Sequence, residues 1–289
     1  MRSWGQAGRR LEPVQVLCDF AVASAASVMH RRDFDALQRF VMFVGYPRSG
    51  HSIIGSLLNA HPHVVIAHRV PLLRYVAAGF RRHQLLGMAL VADRRFERMG
   101  RVASKRYDYS VPNQWQGRFS ELRAIGYGHS STRWLARRPE LLDQLRDAVA
   151  LPVSLVHVMR NPFDNISTIS VRNRLSLSDA ADDYFRRCAT VEALRSSTPA
   201  GQWLDIRHED FVAQPEHALG RLCEFLALDA DDRWLGDAAS IVYDRPHRSR
   251  YGVAWSDELL ADVHHRMEAY PFLDGYAYDE PSLDAAPSA

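Results

Sequence analysis

The segment GYPRSGHS, residues 45–52, sets Gly45 and Gly50 in a G-x-x-x-x-G spacing behind one apolar run, VMFV, and ahead of another, II. A strand, a glycine-rich turn and a helix start in that order gather backbone N–H groups and a helix N-terminus around one point, which favours an anion. The two glycines let the chain turn tightly and approach a ligand, and Pro47 stiffens the turn. Arg48 supplies a permanent charge with a planar fork of donors. Ser52 stands where the metal-binding hydroxyl of a nucleoside-triphosphate loop would be. Loops that hold nucleoside triphosphates carry a lysine after the second glycine. Here that position is His51, and the cation stands upstream at Arg48.

A second cluster bears on which phosphate compound is held. The apolar run VSLVHVM, 153–159, ends in Arg160 and continues NPFDNIST. Asn161 suits a helix N-cap and Pro162 the first helical position, so Arg160 stands at a strand end, with Ser167 and Thr168 about two turns along the helix. A magnesium-dependent NTPase or kinase needs an Asp at such a strand end, and this chain offers an arginine. A third basic stretch, RPHRSR, spans 245–250. His61, His63 and His157 lack the spacing with carboxylates that compels a metal site, and none is expected.

The elements that must position these residues follow from the apolar pattern. VMFVG (41–45), HVVIAH (63–68) and VSLVHVM (153–159) read as strands, and WLDIRHEDF (203–211) as a strand running into a turn. SIIGSLLNA (52–60), residues 71–100 as one or two helices, PELLDQLRDAVA (139–150), segments from about 162 and 177, and PEHALGRLCEFLAL (215–228) read as helices. Residues 101–118 read as an irregular loop. Strands alternating with helices predict an α/β fold, a single P-loop-like domain with a central parallel sheet flanked by helices on both faces. Ligands of such sheets bind beyond the carboxyl ends of the strands.

The whole chain narrows the classes. Its 289 residues suffice for one such domain, and Lys+Arg 36 against Asp+Glu 34 leaves a net charge of +2, too balanced to coat nucleic acid. Cys18, Cys188 and Cys223 form no disulfide or metal pattern, which fits a reducing, cytoplasmic setting. No run reaches the length of a membrane span. FAVASAASVM, 20–29, reads as a short amphipathic helix, not a signal peptide, because Glu12 and Asp19 interrupt the region and no cleavage site follows. The expected division is an N-terminal helical extension over 1–39, the main domain over 40–279 and a disordered tail over 280–289.

Residues 45–62 and 155–168 together resemble the two cofactor motifs of sulfotransferases that use 3′-phosphoadenylyl sulfate. The first is similar to the P-[RK]-S-G-[TH]-[TS] loop around the 5′-phosphosulfate, the second to the R-[ND]-P-x-[DE]-x-x-x-[ST] element that holds the 3′-phosphate. Further likeness at 208–228, at PHRSRYGVAW (246–255) and at YPFLDGY (270–276) extends it over roughly residues 40 to 278. The resemblance implies a metal-independent transfer from 3′-phosphoadenylyl sulfate, leaving adenosine 3′,5′-bisphosphate, to a hydroxyl of a small molecule, a glycan or a lipid. It implies that Pro47, Arg48, Ser49, Gly50, His51 and Ser52 wrap the 5′ side, with Arg48 beside the bridging oxygen. It implies that Arg160 and Thr168, with Ser167 one place early and Arg248 or Arg250 from a closing loop, hold the 3′-phosphate.

The pattern departs in two places. Bacterial relatives often end the second strand in His-Glu, with the glutamate as base; here His68 is followed by Arg69, which leaves His68 as the expected base and His51 as its competitor. GYGHSSTR, 126–133, stands where those relatives tend to carry a GDKKG-like stretch. NQWQG, 113–117, recurs in that group and either lines the acceptor pocket or is a structural loop with Trp115 buried. The rivals are a nucleotide-binding protein without transferase activity and, from the loop spacing, a P-loop kinase.

Overall fold

Short apolar runs, each followed by a helical stretch, can bury both faces of their strands only in a parallel sheet covered on two sides. The computed structural model, which describes residues 13–68, 70–103 and 107–279, is a single α/β domain of that kind. Its strands are β1 (Arg39–Gly45), β2 (Val64–Ala67), β3 (Val102–Ala103), β4 (Tyr107–Asp108), β5 (Ala124–Tyr127), β6 (Val153–Met159) and β7 (Trp203–Arg207). Five of them pair in the order β2-β5-β1-β6-β7, every pair parallel. β3 and β4 form a separate antiparallel pair.

The helices are α1 (Pro13–Met29), α2 (His51–Asn59), α3 (Leu72–Ala77), α4 (Arg82–Arg98), α5 (Thr132–Leu135), α6 (Leu141–Val149), α7 (Pro162–Asn173), α8 (Leu177–Ser196), α9 (His208–Ala213), α10 (Pro215–Leu226), α11 (Asp232–Ala239) and α12 (Asp257–Met267). Alternation along β1 sorts them. Phe40, Met42 and Val44 bury against α3, α4 and α6, while Val41 and Phe43 bury against α2, α10 and α11. A third cluster, built by α7, α8 and α12 around Phe163 and Tyr184, closes the carboxyl end.

Three differences from the sequence pattern bear on the site. β5 lies between β1 and β2, so His68, just past β2, sits one strand farther from the glycine loop than a direct crossover would bring it. Residues expected to be irregular include the β3–β4 pair. The segment HEDF starts a helix, α9, instead of a turn. Arg69 and the expected tail 280–289 lie outside the described residues. Among the described residues no helix is long and apolar enough to cross a membrane.

Candidate active site

Because the sheet is parallel, all five strands deliver the residue after their last one to the same edge. Those ends carry His68 after β2, Gly128 and His129 after β5, the glycine loop after β1, Arg160 after β6 and His208 after β7.

The glycine loop bends through positive φ at Gly45 (122°), Arg48 (71°) and Gly50 (104°). Gly50 is the N-cap of α2 and no side chain caps the helix, so its first-turn N–H groups face the loop without a side-chain acceptor. The loop is held from behind. The Gly45 N–H donates to Thr132 Oγ1 at 2.8 Å, and Ser130 Oγ donates to the Gly45 carbonyl at 2.8 Å. The departing stretch GYGHSSTR is thus the clamp on the root of the loop. Ser49 Oγ turns inward to the Tyr46 carbonyl at 2.9 Å. Pro47 and Ser52 are half-buried and Arg48 is exposed.

Arg160 is 6% exposed. Its guanidinium donates to the Arg48 carbonyl at 3.4 Å, to Thr168 Oγ1 at 3.5 Å, to Ser249 Oγ at 3.2 Å and to the His247 carbonyl. Burial lowers its pKa, and Asp164 and Glu209 oppose that. Asn161 caps α7 by accepting from the Phe163 N–H at 3.0 Å, which fixes Arg160 at the strand end. Thr168 and Ser249 hydroxyls lie 2.9 Å apart. Ser167, one residue earlier, is rotated into the core, donating to the Phe163 carbonyl and accepting from Trp255 Nε1.

The two late arginines differ. Arg250 is buried in a pair with Asp164, at 2.7 Å through its guanidinium and 2.8 Å through its backbone N–H. Arg248 is half-exposed and makes no hydrogen bond or ion pair among the described residues. Arg250 therefore latches the late loop onto α7, and Arg248 is the one presented.

Three histidines gather near the glycine loop. His51 is buried and its pKa is lowered to about 3, first by burial and then by the charges of His129, His68 and Arg48. His129 stands nearly perpendicular to it at 6.3 Å between ring centroids and is exposed. His68 is buried, stacked on Phe96 at 4.1 Å and tilted against Tyr109 at 5.2 Å. His208 packs on the loop from the other side. A Cβ on Gly50 would lie 2.5 Å from its Nδ1, so the position needs glycine for space as well as for φ. Burial, then Arg160, lowers the pKa of His208 to about 4.

NQWQG is attached elsewhere. The Trp115 N–H donates to the Ala60 carbonyl and the Gly117 N–H to that of Asn59, at the far end of α2 and about 13 Å along it from the loop. Trp115 is exposed. Among the described residues no group of three His, Cys, Asp or Glu side chains could hold a metal ion.

His129, His208 and Ser249 are the additions that sequence reasoning missed. His208 directly follows the end of β7, which is the signal that could have found it; His129 stands two residues past β5, a strand too weak in the sequence to point to it. Ser249 sits between the two arginines the sequence did single out.

Residues 41–232 match the model of a sulfotransferase family. Among solved structures, the chain is similar to the sulfotransferase domain of the Synechococcus PCC 7002 olefin synthase, with 18% identity, 85% of this chain and 96% of that one covered, and a TM-score of 0.53. It is similar to the sulfotransferase domain from the curacin biosynthetic pathway at 15% identity, covering 81% and 98%, with a TM-score of 0.52. A sulfotransferase from Mycobacterium tuberculosis aligns at 15% identity over 90% and 83%, with a TM-score of 0.50. At these identities the likeness is one of fold. No curated protein matches.

Proposed function

The chain belongs to the sulfotransferase family, and from that premise we propose that it transfers a sulfuryl group from 3′-phosphoadenylyl sulfate to a hydroxyl of a small molecule, a glycan or a lipid. One observation supports this donor above others. Two separate anion holders, an uncapped helix start and a buried arginine, meet where Arg160 touches the Arg48 carbonyl. A donor with a 5′-phosphosulfate and a 3′-phosphate needs two holders, and a monophosphate needs one. The unpaired thiols fit a cytoplasmic enzyme.

In the transfer, the acceptor oxygen bonds to sulfur while the bond from sulfur to the bridging phosphate oxygen breaks, and that oxygen keeps the electron pair. A phosphate is already a good leaving group, so the chemistry asks for no metal clamp. Arg48 is the cation assigned to the charge that grows there. The first turn of α2 with Ser52 holds the 5′ side; Arg160, Thr168, Ser249 and Arg248 hold the 3′-phosphate. Arg250 acts through the latch to Asp164.

The acceptor proton goes to an imidazole. His51, held near 3, is a weak base, and His68 is covered by Phe96 and Tyr109. We assign the base to His129, exposed beyond the carboxyl end of β5. His129→Ala should lower turnover by ~10²–10⁴-fold with bisphosphate affinity retained; normal turnover in that variant and loss in His68→Ala would return the role to His68.

The reading as a whole is tested by calorimetry and by donor labelled in sulfur. Adenosine 3′,5′-bisphosphate should bind roughly ten- to a hundredfold tighter than AMP, the value of a charge-assisted phosphate contact. Equal affinities would overturn the donor assignment. Tight binding without transfer to any of a broad set of hydroxyl acceptors would leave a nucleotide-binding protein instead.

A further inference from the structure

A helix on a water-facing surface turns its large apolar side chains inward and its polar ones outward. α1 does the reverse. Its buried residues are Asp19, Ala23, Ala26 and Ser27, small or polar, whereas Val14, Leu17, Val28 and Met29 are 69–76% exposed. Phe20 and Val22 are exposed beside them. This orientation is fixed by contacts that only the small face can make. A Cβ on Gly87 of α4 would come within 2.2 Å of the Ala23 carbonyl oxygen, so the two helices lie flush. Tyr75 donates its hydroxyl to the buried Asp19 at 2.8 Å, and Arg95 stands 3.8 Å from the same carboxylate.

The charge around the face indicates what covers it. Asp19 is the sole charged side chain between residues 13 and 29, and it is buried. The border is arginine: Arg31 and Arg32 where the chain leaves the helix, Arg94 at 2.6 Å from His30, Arg95, and Arg81 next to Phe80, whose ring meets Phe20 at 5.4 Å. The acidic groups open to water on these segments are Asp35, Glu97 and Asp33, the last half-buried and held by His30 at 2.7 Å. An apolar strip inside a basic border matches the acyl edge and negative headgroups of an anionic bilayer, whereas a second copy would set arginines against arginines. We propose that α1 is a peripheral membrane-binding surface, lying in the plane of an anionic phospholipid interface. With no helix among the described residues long and apolar enough to span, it lies on the membrane and does not cross it.

Flotation of the full-length protein with vesicles tests this. It should float with phosphatidylcholine–phosphatidylglycerol vesicles and remain below with phosphatidylcholine alone, and the bound fraction should fall as salt rises. The combined change Val14→Glu, Leu17→Glu and Val28→Glu should abolish flotation, and Arg31→Gln with Arg32→Gln should weaken it about tenfold or more. An unchanged unfolding temperature shows that each variant is folded. Val171→Glu, an exposed apolar position on α7, should float as before. Failure of the wild type to float with either vesicle overturns the proposal, as does flotation unaffected by the α1 changes. So does a solution dimer that the α1 changes make monomeric, without vesicle binding.

Discussion

The two anion holders at the strand ends are built in opposite ways. At the glycine loop the cation is outside and the scaffold behind: Arg48 is exposed, while Ser130 and Thr132 grip Gly45 from the neighbouring strand's loop. At the end of β6 the cation is inside. Arg160 is already surrounded by the oxygens of Arg48, Thr168, His247 and Ser249. On the proposed function, the first holder presents fixed backbone dipoles and leaves its cation free to meet a charge that appears during reaction. The second, its cation already fixed, would exchange protein oxygens for phosphate oxygens, which would make the loop supplying them part of the binding step.

Separating the two holders gives the largest expected effect at the latch. Arg250→Ala removes the guanidinium from its buried pair with Asp164 and should cost on the order of 3–5 kcal/mol of stability, read by denaturant unfolding. It should weaken bisphosphate binding while AMP binding stays close to normal. An equal loss for both nucleotides would mean the latch serves the whole edge.

Next comes Arg48→Ala, expected to reduce turnover by ~10²–10³-fold, about 2.7–4 kcal/mol, with little change in donor affinity. Arg48→Lys should restore part of that. A variant weakened in binding alone would show that the exposed cation holds the ground state, and the contrast between the holders would collapse.

The loop side also has a pH signature. His208 and His51 are held at about 4 and about 3, below the ordinary 6.5, so the unfolded chain takes up these protons first. The stability present above pH 6.5 is therefore lost as pH falls toward 4, by up to about 1.4 kcal/mol per pH unit for each ring. In His208→Gln the slope of unfolding free energy over that window should fall by one ring's share, up to about 1.4 kcal/mol per pH unit, while His51 and the other buried rings held low, His61 and His157, keep theirs. An unchanged slope would remove His208 from the account.

The smallest effect is Arg160→Ala, expected to cost roughly 1.5–3 kcal/mol of bisphosphate affinity, since the arginine exchanges one set of hydrogen bonds for another. AMP affinity should not move. If AMP weakens equally, the second holder is not reserved for the 3′ side.

Both motif-bearing units were legible in the sequence because each couples a strong strand to a helix start: β1 with α2, and β6 with α7, down to the Asn161 cap and Pro162. β5 was not. Its four residues, AIGY, include one β-branched side chain and a glycine, too weak a pattern to read as a strand. With β5 hidden, the role of the loop beyond it was hidden too, since the grip of Ser130 and Thr132 on Gly45 spans more than eighty residues of chain. Motif spacing favoured Thr168, with Ser167 one place early, and the helix shows the physical reason for the difference. Adjacent helical residues point about 100° apart, so only one can face Arg160, and the packing of Trp255 shows which. The late loop left Arg248 and Arg250 as alternatives because the carboxylate that takes up Arg250 lies far away in sequence, on α7.

The placement of β5 between β1 and β2 also orders the assembly of the chain in time. β2 has no strand of the main sheet beside it until residues 124–127 arrive, since it pairs with β5 alone. At a synthesis rate of ~5–20 residues per second, the roughly 60 residues between those strands take about 3–12 s to emerge. Throughout that interval VVIA, an apolar strand with both edges open, is held without its partner. Pairings of this separation are slow to form and aggregation-exposed meanwhile, so the central element least evident in the sequence is the one on which the first half of the sheet waits.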